Sequence, residues 1–431
     1  MKIAIAGYGV EGEENYKYWS AGGENELTIV DEQLDSEKVY PSNANTMLGP
    51  NVFSDLNGYD MVVRTAGLAP HKIITDGKIW SATNEFFAKC PVPIIGVTGS
   101  KGKGTTASLI ASILEAAGKK VWLVGNIGLP ALSVLTQIQP DDIVVYELSS
   151  FQLWDLEKSP STAVVLFIER EHLDVHRDME EYVTAKAQIT RHQVADDRLI
   201  FNANNKYATH IAESSAAHKI GYSANDSAHV QDGYFYYGDQ LICPVEELRI
   251  KGEHNQENAV AAIDAVWQYT QDVTAISAGL ASFNGLPHRL AYVTTIKGVE
   301  FYDDSIATTP SSAIAALRAF RTLPKVIILG GSYKGSDFTA LGEELLRHDV
   351  RAILIGDEAP AIATACETAG FRGYEIMENA TAERFTQRAF ELARPGSVVL
   401  LSPASASFGL FKNYADRGDQ FIAAVHSLSQ D

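Results

Sequence analysis

The stretch that decides the fold lies at residues 94–106 and reads IIGVTGSKGKGTT. A short apolar run is followed by a glycine-rich turn, and a helix-forming segment then extends to about Gly118. Such a turn lets backbone N–H groups point at phosphate oxygens, and the N-terminus of the helix adds positive potential. The stretch therefore predicts a phosphate-binding loop between a buried strand and a helix.

Two positions of this loop depart from the common pattern G-x-x-x-x-G-K-[ST]. Val97 occupies the place of the first glycine, and Gly104 directly follows the lysine. A glycine-rich turn without a ligand is the alternative, but two lysines between glycines at a helix start favour nucleotide binding, with Lys103 reaching the β- and γ-phosphates. We predict that ATP and Mg²⁺ bind here, with a threonine hydroxyl as a Mg²⁺ ligand. The residues concerned are Gly99, Ser100, Lys101, Gly102, Lys103, Gly104, Thr105 and Thr106.

Short apolar runs recur along the chain between longer helix-forming segments. They lie at 2–6, 27–30, 61–63, 94–97, 121–124, 143–146, 163–167, 326–329, 352–355 and 398–401. This alternation is typical of parallel α/β units whose sheets are buried on both faces. A tyrosine-rich run at 234–237, followed by Gly238 and Asp239, predicts an antiparallel hairpin in the middle of the chain.

Length and punctuation predict three domains. At 431 residues the chain exceeds one ordinary core, and turn-forming residues interrupt it near 82–85 and 284–289. We expect an α/β protein with a Rossmann-like N-terminal domain at residues 1–84. A central P-loop ATPase domain with a mixed sheet should follow at 85–286, and a Rossmann-like C-terminal domain at 287–431.

Composition and charge narrow the classes of function. Apolar residues make up 46% of the chain and charged residues 21%, as in globular proteins. The formal net charge of −19 disfavours binding to nucleic acid or to an anionic membrane surface. Three widely spaced cysteines predict neither a disulfide framework nor a zinc site. An N-terminus without a long apolar stretch predicts a cytoplasmic protein that has no membrane span.

Acidic and imidazole side chains follow two of the predicted strands. Glu147 directly follows the run 143–146, and His172 and Asp174 come after the run 163–167. Because open α/β sheets bind ligands at the carboxyl ends of their strands, these groups should converge on the phosphate end of the loop. Each alone would more often be a structural residue. Together with a phosphate-binding loop they predict a Mg²⁺ site beside a triphosphate.

The N-terminus carries a second glycine motif. Residues 7–12 read GYGVEG after the first predicted strand and match G-x-G-x-x-G, and Asp31 follows the next strand. By itself the motif suggests NAD, and the alternative is a turn that binds another phosphate-containing ligand.

Seven motifs along nearly the whole chain resemble the Mur ligases and occur in the order of that family. They are TGSKGKGT at 98–105, GNIG at 125–128, ELSS at 147–150, HLD at 172–174, YVTAK at 182–186, GEHNQEN at 252–258 and PHR at 287–289. Further segments, LSSFQ at 148–152 and LSPASAS at 401–407, resemble the branch that adds D-glutamate. The resemblance implies an ATP-dependent ligase of peptidoglycan precursor synthesis. It would join D-glutamate to UDP-N-acetylmuramoyl-L-alanine through an acyl phosphate, and we expect a monomer.

The resemblance also implies roles around the nucleotide. Asn255 and Asn258 would lie near the adenine, and Arg289 and Asp304 would contribute to ATP binding. Lys186 would be carbamylated, which converts a cation into an anionic Mg²⁺ ligand. The implied catalytic residues are Lys103, His172 and Lys186. The implied metal ligands are Thr105, Glu147, His172 and Lys186.

Two substrate pockets are implied in the same way. The pocket for the UDP-linked substrate would contain Val10, Glu11, Asp31, Gly67 and Asn126. The residues that match the D-glutamate site are Thr308, Lys334, Ser407 and Tyr414. Lysine and hydroxyl groups suit a carboxylate ligand.

Several alternatives remain open at this point. A Mur ligase for another amino acid, or a folylpolyglutamate synthase, would share the chemistry. The synthases have the Lys-Gly-Lys-Gly-Thr loop but lack an N-terminal UDP domain. In this chain, residues 2–82 predict such a domain. A non-catalytic nucleotide-binding protein would account for Ile306 and Gly409, which replace a lysine and an aspartate common in D-glutamate ligases. An NAD-dependent oxidoreductase rests on the N-terminal glycines alone.

Overall fold

The computed structural model describes residues 1–32, 39–42, 44–173, 175–250, 252–333, 335–407 and 409–428. Asp174 and Lys334, both singled out from the sequence, lie outside these residues. The chain forms two units, one of Met1–Leu248 with Glu253–Ser282 and one of Arg249–Gly252 with Phe283–Asp431. The boundaries of the three domains expected from the sequence stay predictions.

The N-terminal sheet has five parallel strands in the order β3-β2-β1-β4-β5. They are β1 (Lys2–Ala6), β2 (Glu26–Asp31), β3 (Asn45–Leu48), β4 (Met61–Arg64) and β5 (Lys78–Ser81), with helices α1 (Val10–Ser20) and α2 (Ala82–Lys89). A Cβ at Gly12 would lie 2.2 Å from the carbonyl oxygen of Gly7. Glycine therefore allows α1 to pack closely on β1, as the glycine motif requires.

The central sheet has six parallel strands in the order β11-β10-β9-β6-β8-β7. They are β6 (Ile94–Thr98), β7 (Val121–Gly125), β8 (Ile143–Glu147), β9 (Thr162–Val165), β10 (Arg198–Asn202) and β11 (His218–Tyr222). The accompanying helices are α3 (Lys103–Ala116), α4 (Ala131–Val134), α5 (Ser150–Leu153), α6 (Met179–Arg191) and α7 (Lys206–Ser214). Because β6 lies between β8 and β9, the glycine-rich loop leaves the middle of the sheet.

A three-stranded antiparallel sheet completes the first unit. It contains β12 (Ala228–Gln231), β13 (Tyr234–Tyr237) and β14 (Gln240–Pro244), followed by α8 (Glu253–Val266) and α9 (Val273–Ser282). The predicted hairpin is β13 and β14, which confirms it. These strands form a sheet of their own, so the six-stranded central sheet is parallel rather than mixed. The three strands stay apart from the central sheet because β12 packs on α8. There, Asp264 of α8 accepts a hydrogen bond from the backbone N–H of Ala228, the first residue of β12.

The C-terminal sheet has the order β15-β16-β20-β17-β18-β19, with β15 antiparallel to β16 and the other pairs parallel. Its strands are β15 (Ala291–Ile296), β16 (Val299–Asp303), β17 (Lys325–Gly330), β18 (Val350–Ile355), β19 (Tyr374–Met377) and β20 (Val398–Leu401). The helices are α10 (Pro310–Ala319), α11 (Thr339–Leu345), α12 (Ala359–Ala369), α13 (Ala382–Leu392) and α14 (Tyr414–Ser427). Throughout the described parts of the chain, none of the helices has both the length and the apolar character needed to cross a membrane.

A buried carboxyl group lies on α8. The Asp264 side chain is 1% exposed, and its Oδ1 accepts a hydrogen bond of 2.8 Å from the backbone N–H of Ala228. Burial raises the pKa of Asp264 to about 7, and the negative charge of Asp226 adds to the effect. The ionised form is therefore disfavoured in the folded protein.

Asp264→Asn should remove a pH-dependent loss of stability. From about pH 4 to about pH 7 the folded protein holds a proton on Asp264 that the unfolded chain has released, so the free energy of unfolding falls as the pH rises. Asparagine keeps the hydrogen-bond acceptor and has no charge. The thermal midpoint of the variant, followed by calorimetry, should fall less than that of the wild type across this window. The exposed control Asp239→Asn should follow the wild type, and an equal decline in Asp264→Asn would contradict the assignment.

Candidate active site

The glycine-rich loop connects β6 to α3 and depends on the small size of its glycines. Gly102 has φ +87, in the left-handed region. A Cβ at this position would lie 2.3 Å from Oδ1 of Asn258, and one at Gly99 would lie 2.8 Å from Cβ of Leu166. Gly102 is therefore required both for its backbone conformation and for the close approach of α8.

The two lysines of the loop point in different directions. Lys103 is the first residue of α3, and its Nζ donates hydrogen bonds to the carbonyl oxygens of Gly99 at 3.1 Å and Ser100 at 2.7 Å. Lys101 is exposed and forms an ion pair of 2.9 Å with Glu169. Lys103 thus lies over the loop, in the place from which a lysine can reach bound phosphates, whereas Lys101 lies at its rim.

The segment after β9 is tied to the loop through Ser100. The Ser100 Oγ donates to the carbonyl oxygen of Glu169 at 3.0 Å and accepts from the Glu169 backbone N–H at 2.9 Å. The same Oγ lies 2.9 Å from Oη of Tyr182 on α6. The loop, the β9 end and α6 therefore form one hydrogen-bonded cluster.

Lys186 lies one helical turn after Tyr182 and is 1% exposed. Its Nζ donates to the carbonyl oxygen of Gly99 at 2.7 Å and lies 4.6 Å from the centre of the Tyr182 ring. Burial lowers the pKa of Lys186 well below its usual range, and the positive charge of Lys103 lowers it further, against the opposing charges of Glu171 and Glu147. Both effects shift the Lys186 amine, which contacts the phosphate-binding loop, toward its neutral form.

Glu147 and His172 follow β8 and β9, respectively. Glu147 is the last residue of β8 and is buried, and its charge acts on Lys186. His172 is partly exposed, has φ +56 and packs its ring against Phe151 with centroids 5.0 Å apart. The topology therefore brings Glu147 to the loop, whereas His172 contacts the aromatic side chain of α5.

The side chains available to Mg²⁺ are a carboxylate, an imidazole, a hydroxyl and the buried lysine. With Asp174 outside the described residues, no group of three or more His, Cys, Asp or Glu side chains among the remainder is placed to hold a metal ion. The predicted set contains two side chains of these types, Glu147 and His172. A carbamate on Lys186 would supply an additional anionic oxygen ligand of the kind that Mg²⁺ prefers, so the residues fit the ion.

The two threonines after the loop differ in their surroundings. Thr106 is fully buried, and its hydroxyl donates to Oδ1 of Asn258 at 3.3 Å. Thr105 is half-buried. Asn258 also donates from Nδ2 to Oδ1 of Asn255 at 3.1 Å. Thr105 is therefore the better candidate for a metal ligand, and Asn258 links the start of α3 to Asn255.

In the N-terminal sheet, two of the predicted pocket residues hold loops in place. Oε2 of Glu11 accepts from the backbone N–H of Ala66 at 2.7 Å, and Oδ2 of Asp31 accepts from that of Tyr8 at 2.8 Å. Val10 is 79% exposed and Gly67 is also exposed. Hydrogen bonds therefore hold the loops that follow β1 and β4, and Val10 and Gly67 are exposed beside them.

Asn126 follows β7 and adjoins the end of β8. Its backbone N–H donates to the carbonyl oxygen of Glu147 at 3.4 Å, and a Cβ at Gly125 would lie 2.2 Å from the same oxygen. Asn126 itself is exposed. The exposed amide of Asn126 is therefore fixed next to the strand end that carries Glu147.

In the second unit, Arg289 and Asp304 lie close enough for their charges to interact. Burial raises the pKa of Asp304 to about 7, and the charge of Arg289 opposes this. Oδ1 of Asp304 accepts from the backbone N–H of Leu290 at 3.0 Å, and Oδ2 accepts from Oγ of Ser402 at 2.7 Å. Asp304 is thus held between Leu290, just before β15, and Ser402, just after β20.

A histidine–aspartate pair lies beside this carboxyl group. Nδ1 of His288 is 2.7 Å from Oδ2 of Asp303, which is fully buried. A Cβ at Gly418 on α14 would lie 2.1 Å from Nδ1 of His288. The absence of a side chain at Gly418 is therefore what makes room for the imidazole.

Arg417 organises the segments that carry the predicted amino-acid site. It is fully buried and donates to Ser305 Oγ at 2.9 Å, to the Ser305 carbonyl oxygen at 2.8 Å and to that of Ser405 at 3.2 Å. Ser305 Oγ in turn donates to the carbonyl oxygen of Tyr414 at 2.7 Å. Of the predicted residues, Ser407 is buried, Thr308 half-buried and Tyr414 exposed.

Sequence reasoning gave no role to several of these residues. Tyr182 could have been found, because it precedes Lys186 by four residues and so shares its face of a helix. His288 belongs to the PHR motif that the sequence singled out, but its partner Asp303, and the partner Ser305 of Arg417, could not be read from spacing. These contacts join segments that are distant in sequence.

Comparison with known proteins gives consistent matches. Residues 97–266 match the Mur ligase middle domain, and residues 288–405 match the Mur ligase, glutamate ligase domain. The chain is 34% identical to UDP-N-acetylmuramoylalanine--D-glutamate ligase of Clostridium tetani, over 99% of this chain and 97% of that protein. It is 38% identical to the ligase of the same name from Acetivibrio thermocellus, over 88% and 85%. The MurF ligase of Thermotoga maritima, solved in complex with ADP, has a TM-score of 0.56 at 19% identity and covers 86% of this chain and 90% of its own.

Gly102→Ala should weaken nucleotide binding more than the matched variant Gly118→Ala. The two glycines flank α3 with φ +87 and +75, so alanine at either position costs about 1 kcal/mol in backbone strain. Only at Gly102 would the new methyl group collide with Asn258, since nothing lies within 4 Å of a Cβ at Gly118. Calorimetric titration with a non-hydrolysable ATP analogue should show a loss of affinity of about tenfold or more for Gly102→Ala alone. Equal affinities of the two variants would count against this role of the loop.

Proposed function

Because the chain belongs to the Mur ligase family, we propose that it joins D-glutamate to the carboxyl group of UDP-N-acetylmuramoyl-L-alanine. It is an ATP-dependent ligase of peptidoglycan precursor synthesis. The observation that carries the site assignment is the contact of Lys103 and the buried Lys186 with the same loop, beside Glu147. ATP and a UDP-linked precursor are both available in the cytoplasm, which we propose as its location.

The N-terminal sheet supports a UDP-linked substrate over a folate. It has the Rossmann-like strand order with the GYGVEG loop at the end of β1, and such loops hold phosphate groups at a helix N-terminus. A folylpolyglutamate synthase would have no use for this domain. We therefore assign Val10, Glu11, Asp31, Gly67 and Asn126 to the UDP-linked substrate.

In the first step the γ-phosphoryl group moves from ATP to the substrate carboxylate. The carboxylate oxygen forms a bond to phosphorus while the bond to the ADP oxygen breaks, which gives an acyl phosphate and ADP. Lys103 would exchange its hydrogen bonds to Gly99 and Ser100 for phosphate oxygens, and the N–H groups at the start of α3 would hold the same phosphates. Bound Mg²⁺, held by Thr105, Glu147, His172 and the modified Lys186, would neutralise charge on the transferring group.

In the second step the amine of D-glutamate attacks the acyl phosphate. A C–N bond forms, the amine gives up a proton, and the tetrahedral intermediate collapses to an amide as inorganic phosphate leaves. We propose that Thr308, Lys334, Ser407 and Tyr414 bind the carboxylates of the incoming amino acid. Arg289, Asp304, Asn255 and Asn258 would bind the nucleotide. No covalent bond to the protein is needed in either step.

The burial of the Lys186 amine supports the proposed carbamylation. A neutral amine reacts with CO₂ to give a carbamate and a released proton, and the low pKa of Lys186 favours the neutral form. The carbamate keeps one N–H, so the hydrogen bond to Gly99 can persist. The new negative charge would attract Lys103 and Mg²⁺, whereas a protonated Lys186 would repel them.

Lys103→Ala should abolish ADP release in the presence of UDP-N-acetylmuramoyl-L-alanine and D-glutamate. Loss of a charge that stabilises the transferring phosphoryl group should lower kcat by about 10²–10³-fold or more. The fold should be retained, because the Nζ of Lys103 donates to the carbonyl oxygens of Gly99 and Ser100 within its own loop, and alanine is a good helix former at the start of α3. The control Lys119→Ala, at an exposed position just beyond the C-terminal end of α3, should behave as the wild type. ADP release by Lys103→Ala at a near-normal rate would refute the role of Lys103, and a wild type inactive with these substrates would refute the proposed function.

A carbamate should be detectable on Lys186. Protein equilibrated with ¹³C-bicarbonate should show a carbamate carbon resonance, and turnover should fall in CO₂-free buffer and recover on addition of bicarbonate. The resonance should disappear in Lys186→Met. Lys325→Met is the matched control, because Lys325 is also buried with a lowered pKa but lies at the start of β17. A resonance that persists in Lys186→Met would place the modification elsewhere.

A further inference from the structure

We propose that Arg64 is a positioning residue that holds the loop after β4 in a fixed position relative to the catalytic end of β8. The inference rests on the proposed function, because that loop contains Gly67 of the UDP-substrate pocket. Arg64 is the last residue of β4, and its side chain is 0% exposed. All of the elements involved belong to the first unit.

On one side, Arg64 grips its own loop. Nη1 donates to the carbonyl oxygens of Thr65 and Ala66 at 3.4 Å and of Leu68 at 3.3 Å. The loop is also held through its N–H groups, since the backbone N–H of Ala66 donates to Oε2 of Glu11. Residues 65–68 are therefore fixed from two directions by side chains, one of which belongs to the glycine motif of α1.

On the other side, Arg64 binds the segment that follows β8. Nε donates to Oδ2 of Asp155 at 2.8 Å, Nη2 donates to Oδ1 of the same carboxylate, and Nη2 also donates to the carbonyl oxygen of Phe151 at 2.9 Å. The backbone of Asp155 is fixed in addition, because Nδ2 of Asn84 donates to its carbonyl oxygen at 2.9 Å. The bidentate pair thus has a rigid acceptor.

This acceptor segment is continuous with the catalytic strand end. Only Leu148 and Ser149 separate Glu147 from α5, and a capping box of Ser149 and Gln152 fixes the start of that helix. Phe151 lies within α5 and Asp155 two residues beyond it. Arg64 therefore connects the loop at 65–68 to the segment that directly follows Glu147. Without these hydrogen bonds, the distance between the loop and Glu147 would no longer be fixed.

The chemistry of arginine explains why this residue is needed. Its five N–H groups are all engaged here, and they form a rigid fork, whereas a lysine has three donors on one nitrogen. A buried ion pair contributes little net stability compared with well-packed apolar residues. Apolar packing alone could join these two parts of the protein. The guanidinium has acceptors in both the loop at 65–68 and the segment at 151–155, so we assign Arg64 the role of fixing their relative position.

The junction also contains an exposed ion pair that provides a matched control. Nζ of Lys78 lies 3.0 Å from Oε2 of Glu157, and both side chains are about half exposed. This pair contacts neither the loop at 65–68 nor Phe151. Removal of the Lys78–Glu157 pair tests whether the loss of any ion pair between these two parts of the chain raises the KM for the UDP-linked substrate.

Arg64→Lys keeps the charge but loses most of the hydrogen bonds to the loop. We expect the KM for UDP-N-acetylmuramoyl-L-alanine to rise about tenfold or more, which corresponds to about 1.4 kcal/mol. The KM for ATP should change by less than about threefold, because the hydrogen bonds of Arg64 do not reach the phosphate-binding loop, whereas kcat should fall, because the bound substrate is no longer held in place relative to Glu147. Steady-state ADP release at varied concentrations of each substrate measures this split, and Lys78→Gln should leave all three parameters unchanged.

The outcomes are distinguishable. An unchanged KM for the UDP-linked substrate in Arg64→Lys, together with a lower thermal midpoint, would show a merely structural role and overturn the inference. An equal rise in both KM values would overturn it as well. Should Arg64→Lys fail to fold, Asp155→Asn, which removes the charge but keeps an acceptor, decides by the same split. A wild type that releases no ADP with these substrates would instead refute the proposed function.

Discussion

One carbonyl oxygen, that of Gly99, accepts hydrogen bonds from two lysine side chains, at 3.1 Å from Lys103 and 2.7 Å from Lys186. Two full positive charges on one acceptor would repel each other strongly in a buried site. The more deeply buried group gives way, and the pKa of Lys186 falls. Burial and the charge of Lys103 thus shift the Lys186 amine toward its neutral form, which is the form that can react with CO₂. The conformation of the glycine loop and the position of Tyr182 both serve this arrangement.

The strands and the loop could be predicted because their signals are local. All ten predicted strands are present, with ends that differ by no more than two residues, since buried parallel strands appear as continuous apolar runs. Other strands had no predicted run, among them β3, β5, β10, β11, β15, β16 and β19. β15, for example, is a half-exposed edge strand in which Thr294 and Thr295 interrupt the apolar pattern. Topology also allowed Glu147 to be placed near the loop, because adjacent parallel strands end at the same edge of the sheet. Its role as a metal ligand stays a prediction.

What could not be predicted depends on contacts between distant segments. Arg64 meets Phe151 and Asp155, which are 87 and 91 residues away in sequence. The one local signal was a charged residue at the end of an apolar strand, which shows that a partner is needed but not which one. Tyr182 and Ser100, 82 residues apart, present the same problem. Side-chain pairing of this kind depends on where helices lie over the sheet, and that information is not periodic.

The packing of α14 on the histidine–aspartate pair has a consequence for sequence variation. The space that a side chain at position 418 would fill is occupied by the ring of His288, and that ring is oriented by Asp303. A larger residue at 418 is therefore compatible with the fold only if the imidazole is lost or moved. Positions 288, 303 and 418 should covary among homologues. Homologues with a larger residue at position 418 should lack the histidine at position 288.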